Sequence, residues 1–225
     1  PVDRLLRLEP GGGDNQRVGV RDRLVVRVEQ IVHGQRAVAD RLFQRPGYAV
    51  RRVLGAIDED LVAVFEHNDI PMALAEKEVC CGMPKLELAD LEAVEKAKNI
   101  NIPILAAMVD AGWDIVTPIP SCTLMFKQEL PLMFPDDPDV LKVRDAMYDP
   151  FEYLMLRHKD GKLKTEFRNS LGKVSYQVPC HLRVQNIGLK TRDILQLVPE
   201  TQVEAIERCS GHDGTYAVKK EFHDI

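Results

Sequence analysis

All five cysteines of this 225-residue chain follow short apolar, strand-like runs and stand close to glycine or proline. Cys80 and Cys81 come after the run Met72–Glu76 and lead into Gly82-Met83-Pro84. Cys122 follows Trp113–Pro118, Cys180 follows Val174–Val178 and Pro179, and Cys209 follows Gln202–Ile206 and precedes Gly211. Stretches of helical periodicity fill the intervals. Strands alternating with helices predict an α/β fold with a mostly parallel sheet. In such sheets the chemistry gathers where strands end, at the carboxyl edge. The five cysteines therefore point to four strand-end loops and to no helix interior.

The spacing predicts helices over 58–67, 89–98, 103–110 and 123–129, two short helices within 140–158 split by Asp149-Pro150, and a helix over 191–197. It predicts strands over 72–76, 113–118, 174–178 and 202–206, a Pro- and Asp-rich connection over 131–138, and a helix starting within 214–223. No apolar run approaches the roughly 18 residues of a membrane span, and the first residues carry no apolar leader segment. An odd, small number of cysteines argues against a disulfide-stapled secreted scaffold.

Composition sets the beginning of the chain apart. Residues 1–52 hold eleven arginines, no lysine and six acids, a balance of +5; the first lysine is Lys77. The arginines are scattered singly, without interleaved aromatics, which argues against a nucleic-acid arm. The expectation is an irregular Arg-rich segment over residues 1–55 that is not a native domain.

Thiolates gathered at loop ends serve three chemistries: iron–sulfur ligation, zinc binding and thiol–disulfide exchange. Zinc knuckles of the C-x₂₋₄-C type and a thioredoxin-type C-x-x-C are absent. Adjacent Cys80-Cys81 can address two irons because neighbouring side chains diverge. Inert thiols in a Rossmann-like core are the bland alternative, and the spacing leaves all of these open.

The segments Cys80-Cys81-Gly82-Met83-Pro84, Pro120-Ser121-Cys122, Pro179-Cys180-His181 and Cys209-Ser210-Gly211-His212-Asp213-Gly214 resemble the CCG cysteine-rich module. That module occurs in the B subunit of heterodisulfide reductase and in the iron–sulfur subunits of glycolate oxidase and anaerobic glycerol-3-phosphate dehydrogenase. The resemblance covers about residues 56–225. It implies two pseudo-repeated Rossmann-like modules with parallel sheets, over 56–158 and over 159–225, the second truncated. It implies Cys80, Cys81, Cys122, Cys180 and Cys209 as metal ligands of an iron–sulfur cluster, [4Fe–4S] or noncubane. His181, Ser210 and His212 are further candidates at the cofactor. The partners implied are a flavin-dependent dehydrogenase subunit and a ferredoxin-type iron–sulfur domain, with a quinone or thiol acceptor. Nucleic acid is not among them. The location implied is cytoplasmic, with peripheral contact at the inner face of the cell membrane through a partner.

The motif is incomplete. Ile119 stands where the family carries a cysteine, no cysteine precedes Cys80, and Ser210 replaces the second cysteine of its pair. The first module thus offers three thiolates and the second two, against four ligands for a [4Fe–4S] cluster. Two other classes of function follow: a scaffold subunit that keeps the fold without a complete cluster, and a dithiol enzyme using Cys80 and Cys81. Lys85, Arg183 and Lys190 are candidates to balance cluster charge.

Overall fold

A computed structural model of the chain describes residues 24–26, 56–75 and 79–209. The order of elements is β1 (Leu24–Val26), α1 (Ala56–His67), β2 (Met72–Leu74), α2 (Met83–Leu86), α3 (Leu91–Asp110), β3 (Asp114–Val116), α4 (Pro120–Leu124), a π-helical turn (Met125–Glu129), α5 (Leu130–Met133), α6 (Pro138–Ala146), β4 (Met147–Tyr148), α7 (Pro150–Lys159), β5 (Lys173–Gln177), α8 (Cys180–Arg183), α9 (Lys190–Leu195) and β6 (Gln202–Ile206). The fold is α/β with small parallel sheets, as the alternation of periods predicts. Ser210, Asp213, His212 and the helix expected within 214–223 lie outside the described residues, as does most of segment 1–55.

The larger sheet has the order β2-β1-β3-β4 and every pairing is parallel. Leu24 stands between Met72 and Asp114 in register, and Val26 between Leu74 and Val116. The segment set apart by its arginines thus supplies an interior strand of this sheet. Its run Leu-Val-Val has the β-branched, apolar character of a parallel strand. Asp114, Ile115 and Val116 of β3 are all buried. Ile115 joins one apolar cluster with α3, α6 and the π-helical turn, while Val116 joins the other with Phe65, Ile70, Tyr153 and Leu154. Successive strand residues face opposite sides, so the two clusters lie on the two faces of the sheet.

Helix starts obey local rules. Asp90 caps α3 by accepting from Ala93 N (3.2 Å). Asp137-Pro138 and Asp149-Pro150 begin α6 and α7, with each aspartate capping and each proline in the first turn. At the end of α3, Gly112 adopts φ 88°. Its N–H bonds Val109 O (2.9 Å) and Trp113 N bonds Met108 O (3.1 Å), a Schellman closure.

Two expectations fail for physical reasons, and one short strand has no counterpart among them. The two helices over 89–98 and 103–110 are one helix, α3, with Pro103 inside it. Pro103 removes the bond to the Asn99 carbonyl, but the buried stripe Ile102, Leu105, Ala106 and Val109 holds the axis continuous. Pro131 belongs to α5 and not to a connection. Just ahead of it Leu130 N bonds Met125 O, five residues back, and proline at the next position has no N–H with which to continue a regular ladder. The two-residue strand β4 escaped the periodicity because so short a segment has no period.

The smaller sheet pairs β5 with β6 in parallel, from Lys173 opposite Gln202 to Gln177 opposite Ile206. Val174 and Tyr176 are half-buried while Lys173, Ser175 and Gln177 are exposed. One face is therefore covered and one is wet. Among the described residues no helix is long and apolar enough to cross a membrane.

Candidate functional site

Parallel strands in register deliver the segments that follow them to the same edge. Cys80 and Cys81 follow β2, and Cys122 follows β3, with β1 between them. The connections run to opposite sides of β1, the kind of order reversal that opens a crevice at the carboxyl edge of such sheets. Cys180 and Cys209 follow the paired strands β5 and β6, and Val178 N bonds Ile206 O (3.0 Å) just before both cysteines.

The paired cysteines diverge as neighbours must. Cys80 is exposed, whereas Cys81 is buried and accepts from Met83 N at 3.4 Å. Gly82 between them and α2 adopts φ 98°, a conformation that disfavours any side chain. Val94 of α3 and Met125 close over that glycine at 3.6 Å from where a Cβ would stand. Asn101, buried on α3, accepts from Val79 N (3.3 Å) and donates to Cys80 O (3.2 Å).

Cys122 is buried in the first turns of α4, not in an open loop as the sequence suggests. Pro118 and Pro120 force the chain to turn straight from β3 into the helix. Thr117 and Thr123 share a hydroxyl hydrogen bond of 2.6 Å, and Thr123 also donates to Thr117 O (3.2 Å). These buried threonines pin the turn that carries Cys122.

Cys81 and Cys122 fall in the same apolar cluster. Cys180 is exposed and opens α8, which packs against α4. Gln185 ties the two helices together, its Nε2 donating to Pro120 O (3.0 Å) and to His181 O (2.8 Å). His181 lies 3.8 Å from Glu87, just past α2. Cys209 is exposed. The structure thus buries Cys81 and Cys122 in one extended apolar cluster, leaves their neighbour Cys80 exposed, and packs the helix of Cys180 on that of Cys122. Among the described residues no group of three or more His, Cys, Asp and Glu stands close enough to hold one metal ion.

The candidate counter-charges are engaged elsewhere. Lys85 pairs with Asp90 (3.4 Å), Arg183 with Glu207 (3.8 Å) and Lys190 with Asp193 (3.8 Å). Behind the α4–α8 contact lies a cleft of about 330 Å³ whose walls include Lys127, Glu152, Gln185 and Lys190. Glu152 and Lys127 form a largely buried ion pair at 2.5 Å. Glu152 also accepts from Asp149 N (3.3 Å). Burial pushes the Asp149 carboxyl up to about 6. Its two backbone donors, Phe151 N (2.9 Å) and Glu152 N (3.2 Å), oppose that rise without cancelling it.

Asn101, Gln185, Thr117 and Thr123 were missed from sequence. Asn101 carried a legible signal: it stands seven residues after Val94 and four before Leu105, on the buried stripe of α3, where a polar side chain needs partners.

Residues 43–127, which include Cys80, Cys81 and Cys122, match the family model described as CCG, cysteine-rich domain. That segment is similar to a CCG cysteine-rich domain. The match begins inside the Arg-rich segment. Over 167 residues, 73% of this chain, the sequence is 26% identical to the C subunit of anaerobic glycerol-3-phosphate dehydrogenase from Escherichia coli strain K12, covering 41% of that relative. Over 168 residues, 70% of this chain, it is 29% identical to lactate utilization protein A of Bacillus cytotoxicus and of Bacillus cereus strain B4264, covering 66% of each. The chain therefore spans between two-fifths and two-thirds of the length of these curated relatives. No solved structure matches it.

Proposed function

We propose that this chain is the iron–sulfur electron-transfer part of an oxidoreductase complex of the heterodisulfide-reductase-like, hydroxyacid- or glycerol-3-phosphate-oxidising kind. The observation that supports the reading is that Cys81 and Cys122, which follow two strands of one parallel sheet, are both buried in one apolar cluster within the segment that the family model matches. The donor type fits, since thiolates are what iron–sulfur clusters take; Cys80 and Cys81 stand ahead of the Gly82 turn, and Cys122 and Cys180 in the first turns of α4 and α8. Cys80, Cys81 and Cys122 would hold one cluster, [4Fe–4S] or noncubane, with Cys180 and Cys209 at the rim of the smaller sheet. His181, Ser210 and His212 would serve as substitute ligand or hydrogen-bond donors there. The cluster supplies one-electron transfer when bound. The chain supplies the rest: Asn101 and the Thr117–Thr123 pair hold the ligand loops, and the apolar cluster around Cys81 and Cys122 excludes water.

The modules of this reading are a pseudo-repeat, over about 56–158 with β1 seated in its sheet, and over 159–225. The names of the relatives, a dehydrogenase subunit and a lactate utilization protein, support a redox complex with further subunits. In that complex the electron donor is a flavin-dependent dehydrogenase subunit, a ferredoxin-type iron–sulfur domain stands alongside, and a quinone or thiol accepts. The complex is cytoplasmic and touches the inner face of the cell membrane only through a partner. The test is anaerobic purification followed by iron and sulfide assay and EPR of the reduced protein. Stoichiometric iron that is lost in Cys81→Ser and in Cys122→Ser supports the reading; an iron-free chain of full length overturns it.

A second reading is favoured by a specific observation. No three metal donors stand close together among the described residues, and Ile119 and Ser210 replace family cysteines. A non-enzymatic scaffold subunit that keeps the fold is the alternative. It predicts the iron-free outcome together with intact binding to partner subunits.

A further inference from the structure

We propose that two buried carboxamides, Asn101 and Gln185, are positioning residues for the cysteine-bearing segments, Asn101 for the Cys80-Cys81 loop and Gln185 for the α4–α8 contact. The proposal rests on the reading of these cysteines as ligands. Both amides are buried, with 2% and 5% of their surface exposed. Each makes its side-chain hydrogen bonds to peptide groups within two residues of a cysteine. The Asn101 side chain reads Val79 N and Cys80 O with its oxygen and its nitrogen, so both ends of the amide are fixed at once. The Gln185 nitrogen reads Pro120 O, two residues before Cys122, and His181 O, one residue after Cys180.

Such placement is selective. A leucine at position 101 would complete the apolar stripe of α3 without a desolvated amide. Asn68 provides the contrast within the same molecule. It too is a buried amide, donating to Val64 O (2.8 Å) and accepting from Lys164 N (2.8 Å), yet none of its partners neighbours a cysteine. The long helix α3, capped by Asp90 and closed by Gly112, is a rigid post for Asn101. Gln185 sits where two short helices meet, neither of which has the length to hold itself.

The test is thiol labelling of the metal-free, reduced full chain. Cys81 and Cys122 are both buried in one cluster, so each reacts with iodoacetamide only when its own segment opens. Mass spectrometry reads the two sites separately. Asn101→Leu is expected to speed labelling of Cys81 about tenfold relative to Cys122, the size of effect that follows from losing a buried hydrogen-bonded clamp. Gln185→Met is expected to do the reverse, speeding Cys122 relative to Cys81. Asn68→Leu is expected to change both sites by one common factor. If Asn101→Leu fails to fold, Asn101→Asp keeps the acceptor for Val79 N, removes the donor to Cys80 O, and should still favour Cys81. Equal acceleration of both cysteines in the Asn101 and Gln185 variants, or no change in either, overturns the proposal, because a merely structural amide would destabilise the cluster as a whole. Iron uptake measured on the same variants separates the two claims. A wild-type chain that takes up no iron sinks the ligand reading, while the crossed labelling pattern still decides the positioning.

Discussion

Replacing Asp149 by asparagine should remove a pH dependence of stability that runs opposite to ordinary acid denaturation. Asp149 caps α7 and is 3% exposed. Burial raises its carboxyl from 3.8 to about 6; the backbone N–H groups of Glu152 and Phe151 and the charge of Lys127 pull down, and the charge of Glu152 pushes up. A group whose folded value lies above its unfolded one binds its proton more tightly when folded. Its contribution is complete below about pH 3.8 and is lost as the pH rises through about 6. A rise of about two units, at ~1.36 kcal/mol each, makes the ionised carboxylate a burden of ~3 kcal/mol at neutral pH. About 2 kcal/mol of that falls between about pH 4.5 and pH 7.5. Asparagine keeps the capping acceptor and does not ionise. Urea unfolding of wild type and Asp149→Asn across this range should give stability curves that diverge by about 2 kcal/mol, with the wild type losing ground as the pH rises. Asp137 and Asp69, held low by Lys98 and Lys164, act the other way, losing their contribution on acidification. They are common to both proteins and cancel in the difference. Parallel curves would refute the claim that Asp149 is ionised at a cost.

Gly82→Ala should cost about 1–2 kcal/mol in chemical denaturation, because φ 98° is strained for alanine although the space at 3.6 Å is sufficient. Lys127→Met should cost about 3 kcal/mol by leaving the Glu152 carboxylate buried and unpaired; the double variant with Glu152→Gln should recover part of that loss. Glu92→Gln should change the unfolding midpoint little, since its pair with Lys96 is exposed on both sides and worth at most about 0.5 kcal/mol.

The legible parts of this molecule are those in which a local rule decides. Asp-Pro pairs mark the starts of α6 and α7, Gly112 marks the end of α3, and β6 runs over the predicted Gln202–Ile206. Alternating periods give the parallel α/β class, and with it the placement of cysteines at carboxyl edges. What stays hidden needs tertiary information. Pro103 reads as a break until the buried stripe on either side of it is known to share one core. Leu24–Val26 reads as part of an arginine-rich oddity until its neighbours β2 and β3 are found on both sides. Asn101 in α3 and Gln185 just past α8 are ordinary polar residues; Cys80 O and Pro120 O, which they reach, lie about 20 and about 65 residues away along the chain.

The gathering of thiols divides into a part that topology supplies and a part that side chains must supply. Leu74 and Val116 share one register level through Val26, and Cys80 and Cys122 each stand six residues beyond those positions. Gln177 and Ile206 are register partners, and Cys180 and Cys209 each stand three residues beyond them. Equal offsets from a common register bound the reach of each pair equally, at about 3.3–3.6 Å per residue. That suffices to put two cysteines over one edge but not to aim them. Six residues leave a reach of up to ~20 Å, far wider than the ~2.3 Å scale of a metal–sulfur bond. The remaining freedom has to be removed locally. The tools visible are Gly82, whose positive φ only glycine adopts freely, the Thr117–Thr123 lock, and the two amides that grip peptide groups within two residues of Cys80, Cys122 and Cys180.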